Sequence, residues 1–238
     1  MLAPGYRWLG DTSGKHAGSA ERRRIGHTHG MSSDVEFWVD PVCPWCWVTA
    51  RWVVDEVAPR RDLNVSWQPI SLLFKNDPDP GSDRYNAVYR GHQALRIMEA
   101  IRIAHGDEKV FEWYWQCGTR IHHDADREFT FADALASIGL DASLAEAADD
   151  SAWDSEISRR MDAGLALVGN DVGTPIIGLS GEDGTKRAIF GPVITRVPDA
   201  ERSLALWDAM VVLATTDGFW ELKRTRTERP DVGTRPPV

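Results

Sequence analysis

The spacing of hydrophobic positions predicts a strand, a helix and a second strand near the start of the chain. Residues 35–39 are rich in β-branched and aromatic side chains and end before Pro41, as a strand does. From residue 45 to residue 57 apolar positions recur at helical spacing, and Pro59 follows as a stop signal. Residues 63–68 alternate between apolar and polar side chains, which predicts the second strand.

Between residues 84 and 169 the pattern is helical throughout, and strand patterns return only afterwards. Residues 175–179 and 186–190 indicate two strands, and the sequence SGEDGT between them is typical of a hairpin turn. A long amphipathic helix then begins at Asp199. We therefore expect two halves of one central sheet, with a helical block inserted between them.

This order of elements predicts how the chain divides along its length. The sheet-forming domain is expected in two parts, residues 32–72 and residues 171–222, with a helical insertion domain at residues 73–170. Residues 1–31 are rich in Gly, Arg and His, and we expect a disordered N-terminal tail there. Residues 223–238 are expected to form a C-terminal tail, in which the basic run at 223–226 is solvated or forms surface ion pairs.

Composition and charge narrow the classes of partner. The chain has 238 residues, and its 36 acidic against 27 basic side chains give a formal net charge of -9. This charge disfavours general binding to nucleic acid or to anionic membranes. No apolar run approaches the roughly 20 residues of a membrane helix, and the first residues lack the apolar region of a secretory signal. We expect a soluble, cytoplasmic protein, in which paired cysteines are catalytic or metal-binding rather than a structural disulfide.

Two of the three cysteines form the motif Cys43-Pro44-Trp45-Cys46, at the start of the first predicted helix. Free backbone N–H groups and the helix dipole stabilise a thiolate at this position, so we expect Cys43 to be the nucleophile. Its pKa is expected to lie below the free-thiol value of about 8.5. Pro44 suits the first helical turn, where its missing N–H has no intrahelical partner. Cys46, one turn further in, would attack a mixed disulfide at Cys43 and release the product.

Other readings of the cysteine pair are a zinc site and two packed, unreactive thiols. Zinc requires four ligands, usually from two spaced pairs, and the sequence has no second Cys-x-x-C. Cys117 stands alone on an apolar helical stripe, where we expect a buried side chain, and His122 lies in an unrelated segment. We therefore expect no metal site.

A cysteine pair at the start of the first helix of such a sheet points to a thioredoxin-like fold. The fold class we expect is α/β: a thioredoxin-like fold with a central mixed β-sheet and a large all-helical insertion. In this fold a cis proline at the start of the strand after the insertion faces the cysteines, and Pro175 has that position. The backbone of Thr174 would then pair with an extended substrate or a thiol adduct. The alternative is an ordinary trans proline that opens an edge strand.

Several motifs together resemble a known family. They are the run Cys43-Pro44-Trp45-Cys46-Trp47 after FWVDP, the large helical insertion, VGTP at 172–175, FGP at 190–192 and the late sequence FWELKRTRT. Jointly they resemble the DsbA-like thioredoxin superfamily, and most closely its actinobacterial mycothiol-dependent nitroreductase branch. The resemblance extends from about residue 35 to about residue 228.

The resemblance implies a function and a set of site residues. The implied protein is a cytosolic oxidoreductase without a tightly bound cofactor, which takes two electrons from mycothiol, a low-molecular-weight thiol, as its reducing cosubstrate. The Cys43/Cys46 dithiol passes them to a small-molecule acceptor, with nitro-aromatic compounds among the family's acceptors; Cys43 forms the mixed disulfide and Cys46 resolves it. The positions that match the family near the acceptor pocket are Trp45, Asn76 and Tyr85. The sequence RIH also matches; Arg120 would support a thiolate or cap the helix end, and His122 completes the match.

Two other functions remain open at this point. A protein disulfide oxidoreductase or isomerase of the same superfamily would have protein dithiols as partners and would need an exposed groove beside Pro175. A non-enzymatic, chaperone-like module would use the same cleft without turnover.

Overall fold

The computed structural model of the protein describes residues 31–126, 128–181 and 184–238. The predicted N-terminal tail lies, except for Met31, outside the described residues. The described residues form a four-stranded sheet with the order β2-β1-β3-β4. Its strands are β1 (Met31–Val39), β2 (Asn64–Pro69), β3 (Ile176–Gly181) and β4 (Lys186–Phe190). β1 pairs in parallel with β2 and antiparallel with β3, and β3 pairs antiparallel with β4, so the predicted mixed sheet is confirmed.

The helix that follows the cysteine motif is longer than the sequence predicts. It begins as α1 (Pro44–Arg51), continues as a π-helical segment (Trp52–Val57) and ends as α2 (Ala58–Arg61). The predicted stop at Pro59 is wrong, because this proline lies in the first turn of α2, where a missing N–H is tolerated. Asp62, in the left-handed conformation with φ 51°, ends the helix instead.

Helices fill the segment between the two halves of the sheet, as predicted. They are α3 (Leu72–Asn76), α4 (Asp83–His105), α5 (Asp107–His122), α6 (Phe131–Ser137), the 3-10 segments Ala142–Asp149 and Ser151–Trp153, and α7 (Asp154–Val168). The helix α8 (Ala200–Thr215) follows β4. No helix in the part of the chain that the structure describes is long and apolar enough to cross a membrane.

Two buried tryptophans pack directly against glycines of the helical insertion. The ring of Trp47 on α1 lies so close to Gly118 of α5 that an added Cβ would be 2.2 Å from its Cζ3 atom. Trp38 of β1 approaches Gly164 of α7 in the same way, with Cε2 at 2.6 Å from an added Cβ. The indole Nε1 of Trp47 also donates a hydrogen bond of 3.0 Å to His123 Nε2. These contacts fix the first helix and first strand against the insertion.

The residues after α8 have no regular secondary structure, but their far end is attached to α5 and to the turn after it. The Arg235 guanidinium forms a two-pronged ion pair with Asp124, at 2.6 and 2.9 Å. Trp115 Nε1 donates a hydrogen bond of 3.1 Å to the carbonyl of Pro237, and Pro236 is buried. The end of the chain is therefore packed against the inserted helices.

We expect Gly118→Ala to destabilise the protein although alanine is the better helix former. Alanine gains about 1 kcal/mol in helix propensity, but forcing a methyl group into a filled core costs about 1–3 kcal/mol and here meets an aromatic ring. A net loss of up to about 2 kcal/mol should appear as a lower denaturation midpoint in urea. Gly173→Ala is the control, because its added Cβ would meet nothing within 4 Å. Equal midpoints for the two variants would contradict the packing account.

Candidate active site

The cysteine motif forms the turn that opens α1. Cys43 is the N-cap residue, with extended backbone angles of φ -81° and ψ 110°, and Pro44 is the first helical residue. The N–H of Cys43 donates to the Asp40 carbonyl at 3.1 Å, and the Cys43 carbonyl accepts from Trp47 N at 3.0 Å. The Cys43 sulfur therefore lies at the end of the helix where the N–H groups are free, as the motif predicts.

The prediction of a lowered pKa for Cys43 is wrong for this structure. Burial raises the pKa of the Cys43 thiol to about 11, because only 8% of the residue is exposed and a thiolate there loses its hydration. The backbone N–H groups of Cys46 and Trp45 act in the opposite direction but do not outweigh burial, and the Asp40 carboxylate adds to the increase. Ionisation of Cys43 therefore requires water or positive charge at the sulfur.

Cys46 lies deeper and is surrounded by hydroxyl groups. Its sulfur is 3.2 Å from Thr174 Oγ1 and 3.8 Å from the hydroxyl oxygen of Tyr114, and the residue has no exposed surface. Burial is the largest effect on the Cys46 thiol and raises its pKa well above the ordinary value. Thr174 Oγ1 is also 2.9 Å from the Trp38 carbonyl. While Cys46 is a thiol, the Thr174 hydroxyl can donate its single proton to the Trp38 carbonyl. Once Cys46 is a thiolate, the hydroxyl can turn and donate to the sulfur.

The peptide bond between Thr174 and Pro175 is cis, as the sequence predicts. The bond between Gly191 and Pro192 is cis as well, which sequence reasoning did not anticipate although the sequence FGP was noted. The two prolines belong to one local structure: Gly191 N donates to the Pro175 carbonyl at 2.8 Å. The Pro192 carbonyl in turn accepts a hydrogen bond of 2.8 Å from Thr49 Oγ1 on α1.

A buried carboxylate lies three residues before Cys43, directly after the end of β1. Asp40 has no exposed surface, and its two oxygens accept backbone hydrogen bonds from Val42 at 3.0 Å and from Leu72 at 2.8 Å. Burial raises the pKa of Asp40 to about 6, although both hydrogen bonds act to lower it. Neither Asp40 nor Tyr114 was predicted from the sequence as a site residue. Two neighbours of the cysteines were thus missed.

The structure places the other predicted residues at different distances from the motif. His122 reaches the active-site loop, with its Nε2 at 2.9 Å from the Pro41 carbonyl and its ring stacked on Trp47. Arg120 lies over the Phe129 ring and 3.8 Å from Asp126.

The electrostatic effect of Arg120 is on Cys117, the third cysteine. Its charge acts to lower the pKa of Cys117, a buried core residue whose pKa burial raises. Support of the Cys43 thiolate by Arg120 therefore stays a prediction.

Tyr85 lines a surface cavity of about 620 Å³, and the exposed Asn76 ends the helix α3 beside it. The residues that line this cavity are Leu73, Phe74, Asp77, Tyr85, Ser158, Met161 and Asp162. Trp45 is half-buried on the motif itself and does not line the cavity. A shared acceptor pocket of Trp45, Asn76 and Tyr85 remains a prediction.

The cysteines are present as free thiols. Within residues 31–126, 128–181 and 184–238, no three His, Cys, Asp or Glu side chains gather so that they could hold a metal ion. The chemistry available at the motif is therefore that of two thiols with hydroxyl and carboxyl neighbours.

Comparison with known proteins assigns the family. The family model described as "Rv2466c-like: Mycothiol-dependent nitroreductase Rv2466c" matches residues 42–224, more than half of the chain. This chain belongs to the Rv2466c-like family. A relative in Mycobacterium tuberculosis, the uncharacterized protein Rv2286c, is 25% identical over 201 residues, covering 81% of this chain and 82% of that protein.

A solved structure supports the fold of this family member. A protein of Nitrosomonas europaea assigned as a protein disulfide isomerase superposes with a TM-score of 0.51 at 12% identity, over 74% of this chain and 97% of that one. Pseudomonas aeruginosa DsbA2 has a TM-score of 0.49 at 17% identity, over 78% of this chain and 90% of its own. The Rv2466c-like protein described here has the thioredoxin-like fold with a helical insertion and is a thiol–disulfide oxidoreductase.

The raised pKa of Asp40 predicts that the stability of the folded protein depends on pH. Below about pH 4 the carboxyl is protonated in both the folded and the unfolded state, and its contribution to stability is then complete. That contribution is lost as the pH rises through about 6, where the folded protein must ionise a buried carboxyl. Between these limits the unfolding free energy should fall by about 3 kcal/mol relative to Asp40→Asn. Urea denaturation at a series of pH values measures this difference.

The matched control is Asp79→Asn, which removes an exposed carboxylate from a loop. Curves that run parallel for the wild type and Asp40→Asn from pH 4 to pH 7 would contradict the raised pKa.

Proposed function

We propose that this protein is a mycothiol-dependent reductase of small-molecule acceptors. One observation carries the proposal: Cys43 is the N-cap of α1, and Cys46 lies behind it, 3.2 Å from the hydroxyl of Thr174 beside the cis proline. The family match, whose description names a mycothiol-dependent nitroreductase, supports the identity of the thiol. Cytoplasmic localisation and the absence of a tightly bound cofactor are parts of the same proposal.

The proposed cycle moves two electrons through the cysteine pair. The dithiol gives two electrons and two protons to the acceptor, and the Cys43–Cys46 disulfide forms. A mycothiol thiolate then attacks the Cys43 sulfur, the bond between the cysteines breaks, and Cys46 leaves as a thiolate. A second mycothiol thiolate then attacks the sulfur of the bound mycothiol, the bond to Cys43 breaks and Cys43 leaves as a thiolate, so that the dithiol and the disulfide of mycothiol are the products. In the reverse direction Cys46 attacks the mixed disulfide and releases the thiol.

The surroundings of Cys46 suit its proposed role as the buried leaving group. A thiolate at a fully buried position is costly unless hydrogen bonds compensate the lost hydration. Donors are available from the hydroxyl of Thr174, the hydroxyl of Tyr114 and the backbone N–H of Asp40. Thr174 itself is only 7% exposed and Pro175 is buried, which favours a small thiol over an extended peptide at this position.

The acceptor is the finer part of the proposal. Nitro-aromatic compounds are flat and can stack on an aromatic surface, and the half-buried Trp45 offers one beside Cys43. Asn76 and Tyr85 are proposed to contribute to the same pocket. An acceptor screen should therefore start with nitro-aromatic compounds.

The first experiment compares two thiols. The oxidised protein is mixed with mycothiol or glutathione at equal thiol concentration, and opening of the disulfide is followed by tryptophan fluorescence and intact mass. We expect fast reduction by mycothiol, slow reduction by glutathione, and loss of the nitro-aromatic absorbance on continued turnover. Indifference to both thiols would contradict the proposal and direct attention to protein dithiols as partners.

Cysteine variants test the order of the exchange. Cys46→Ser treated with the disulfide of mycothiol should keep one mycothiol on Cys43, because the resolving thiol is absent. Cys43→Ser should form no adduct and lose reductase activity by roughly a thousandfold or more. Cys117→Ala is the matched control and should retain activity, since Cys117 is a core residue. An adduct on Cys46 in the Cys43→Ser variant would reverse the assignment of the two cysteines.

A further inference from the structure

The basic run in the last part of the chain reaches the cysteine motif. The guanidinium of Arg226 lies over the ring of Trp45, 5.2 Å from its centroid. Trp45 is one of the two residues between the cysteines, so this contact places a positive charge beside the motif. The sequence predicted that residues 223–226 are solvated or form surface ion pairs, and the function proposed above makes no use of them.

The segment that carries Arg226 is held on its C-terminal side. Asp231 N donates to the Thr195 carbonyl at 2.7 Å, and Arg51 Nη1 on α1 donates to the Thr234 carbonyl at 2.9 Å. The pair of Arg235 and Asp124 lies further along the same stretch. Residues 221–229 are exposed. Arg226 thus stands on an exposed stretch that is anchored beyond it, and its stacking on Trp45 sets where its charge lies.

The charge of Arg226 is available to the cysteine. In the part of the chain that the structure describes, no carboxylate forms an ion pair with Arg226, whereas Arg196 on the neighbouring loop pairs with Glu228. A guanidinium stacked on an indole keeps its full charge and is weakly hydrated. It can therefore act across a short distance on an ion that forms beside the ring.

We propose that Arg226 is a positioning residue of the active site, which stacks on Trp45 and supplies the positive charge that stabilises the Cys43 thiolate. The proposal rests on the proposed function only in taking Cys43 as the nucleophile. Burial of Cys43 opposes the formation of a thiolate. The Arg226 charge acts against this effect, because it lowers the pKa of Cys43 that burial raises. Each time the Cys43 sulfur becomes an attacking or a leaving group, this cation offsets part of the lost hydration.

The other ionisable groups around Cys43 define the background against which Arg226 acts. The carboxylate of Asp40, on the loop before the motif, opposes thiolate formation. Cys46 on α1 and Tyr114 on α5 would add negative charge if they ionised, but burial raises the pKa of both. His122 on α5 faces the same loop through its bond to the Pro41 carbonyl. These groups are the same in the wild type and in an Arg226 variant.

The test is the rate at which iodoacetamide alkylates reduced Cys43, measured from pH 6 to pH 12 so that the range includes the raised pKa, and read by intact mass. Arg226→Gln should slow alkylation about three- to tenfold at pH 7.5 and move the apparent pKa upward. Arg226→Lys should restore most of the rate, because the charge is kept. The matched control is Arg224→Gln, which removes an exposed charge two residues away and should leave the rate unchanged. At 1 M salt the Debye length falls to about 3 Å. The difference in alkylation rate between the wild type and Arg226→Gln should therefore become smaller.

Three results would overturn the proposal: equal rates in Arg226→Gln and the wild type, an equal loss in Arg224→Gln, or an Arg226→Lys variant as slow as Arg226→Gln. The last result would assign Arg226 to packing on Trp45 rather than to charge. Alkylation needs neither mycothiol nor an acceptor, so failure of the proposed reductase activity would be seen separately. Thermal denaturation of each variant checks that all are folded at the assay temperature.

Discussion

Hydrogen bonds to one buried carboxylate, that of Asp40, hold the active-site turn in place. Asp40 accepts hydrogen bonds from Val42 in the turn and from Leu72 at the start of α3, and its Oδ1 lies against Gly91 of α4. The turn before the cysteine motif and the helices α3 and α4 therefore meet at a single side chain. Taking a carboxylate out of water is costly, and the two backbone donors recover only part of the loss, as the raised pKa indicates. This cost falls at the position where the turn before the cysteine motif meets the helical insertion.

The same loss of hydration governs the cysteines. A helix N-terminus favours a thiolate, but at Cys43 burial has the larger effect. At Cys46 the compensation is local, from the Thr174 hydroxyl and its neighbours. At Cys43 it comes from distant sequence, because Arg226 lies on the segment after the last helix. The reactivity of the two cysteines is therefore set by the side chains packed around them and not by the four residues of the motif alone.

Sequence patterns were sufficient for the fold and for the cis bond at Pro175. Helical and strand periodicity, with a cysteine pair at the first helix, predicted the mixed sheet, the insertion and the cis bond at Pro175. The pKa of Cys43 could not be read in this way, because burial depends on packing between distant segments. Tyr114 is 68 residues from Cys46, and nothing in its own surroundings distinguishes it from a core residue. Asp40 and Arg226 were missed for the same reason, since a turn residue and a basic tail residue are ordinarily solvated.

The separation of the site residues along the chain has a consequence for biosynthesis. Thr174 is 128 residues from Cys46, and Arg226 follows only near the end of the chain. Since β3, which pairs with β1, is also made late, the sheet cannot be completed while the ribosome is still making the insertion. At typical synthesis rates of about 5–20 residues per second, the two thiols emerge several seconds before the groups that enclose them. For that interval the nascent chain carries an uncovered dithiol, open to any oxidant or thiol in the compartment where it is made.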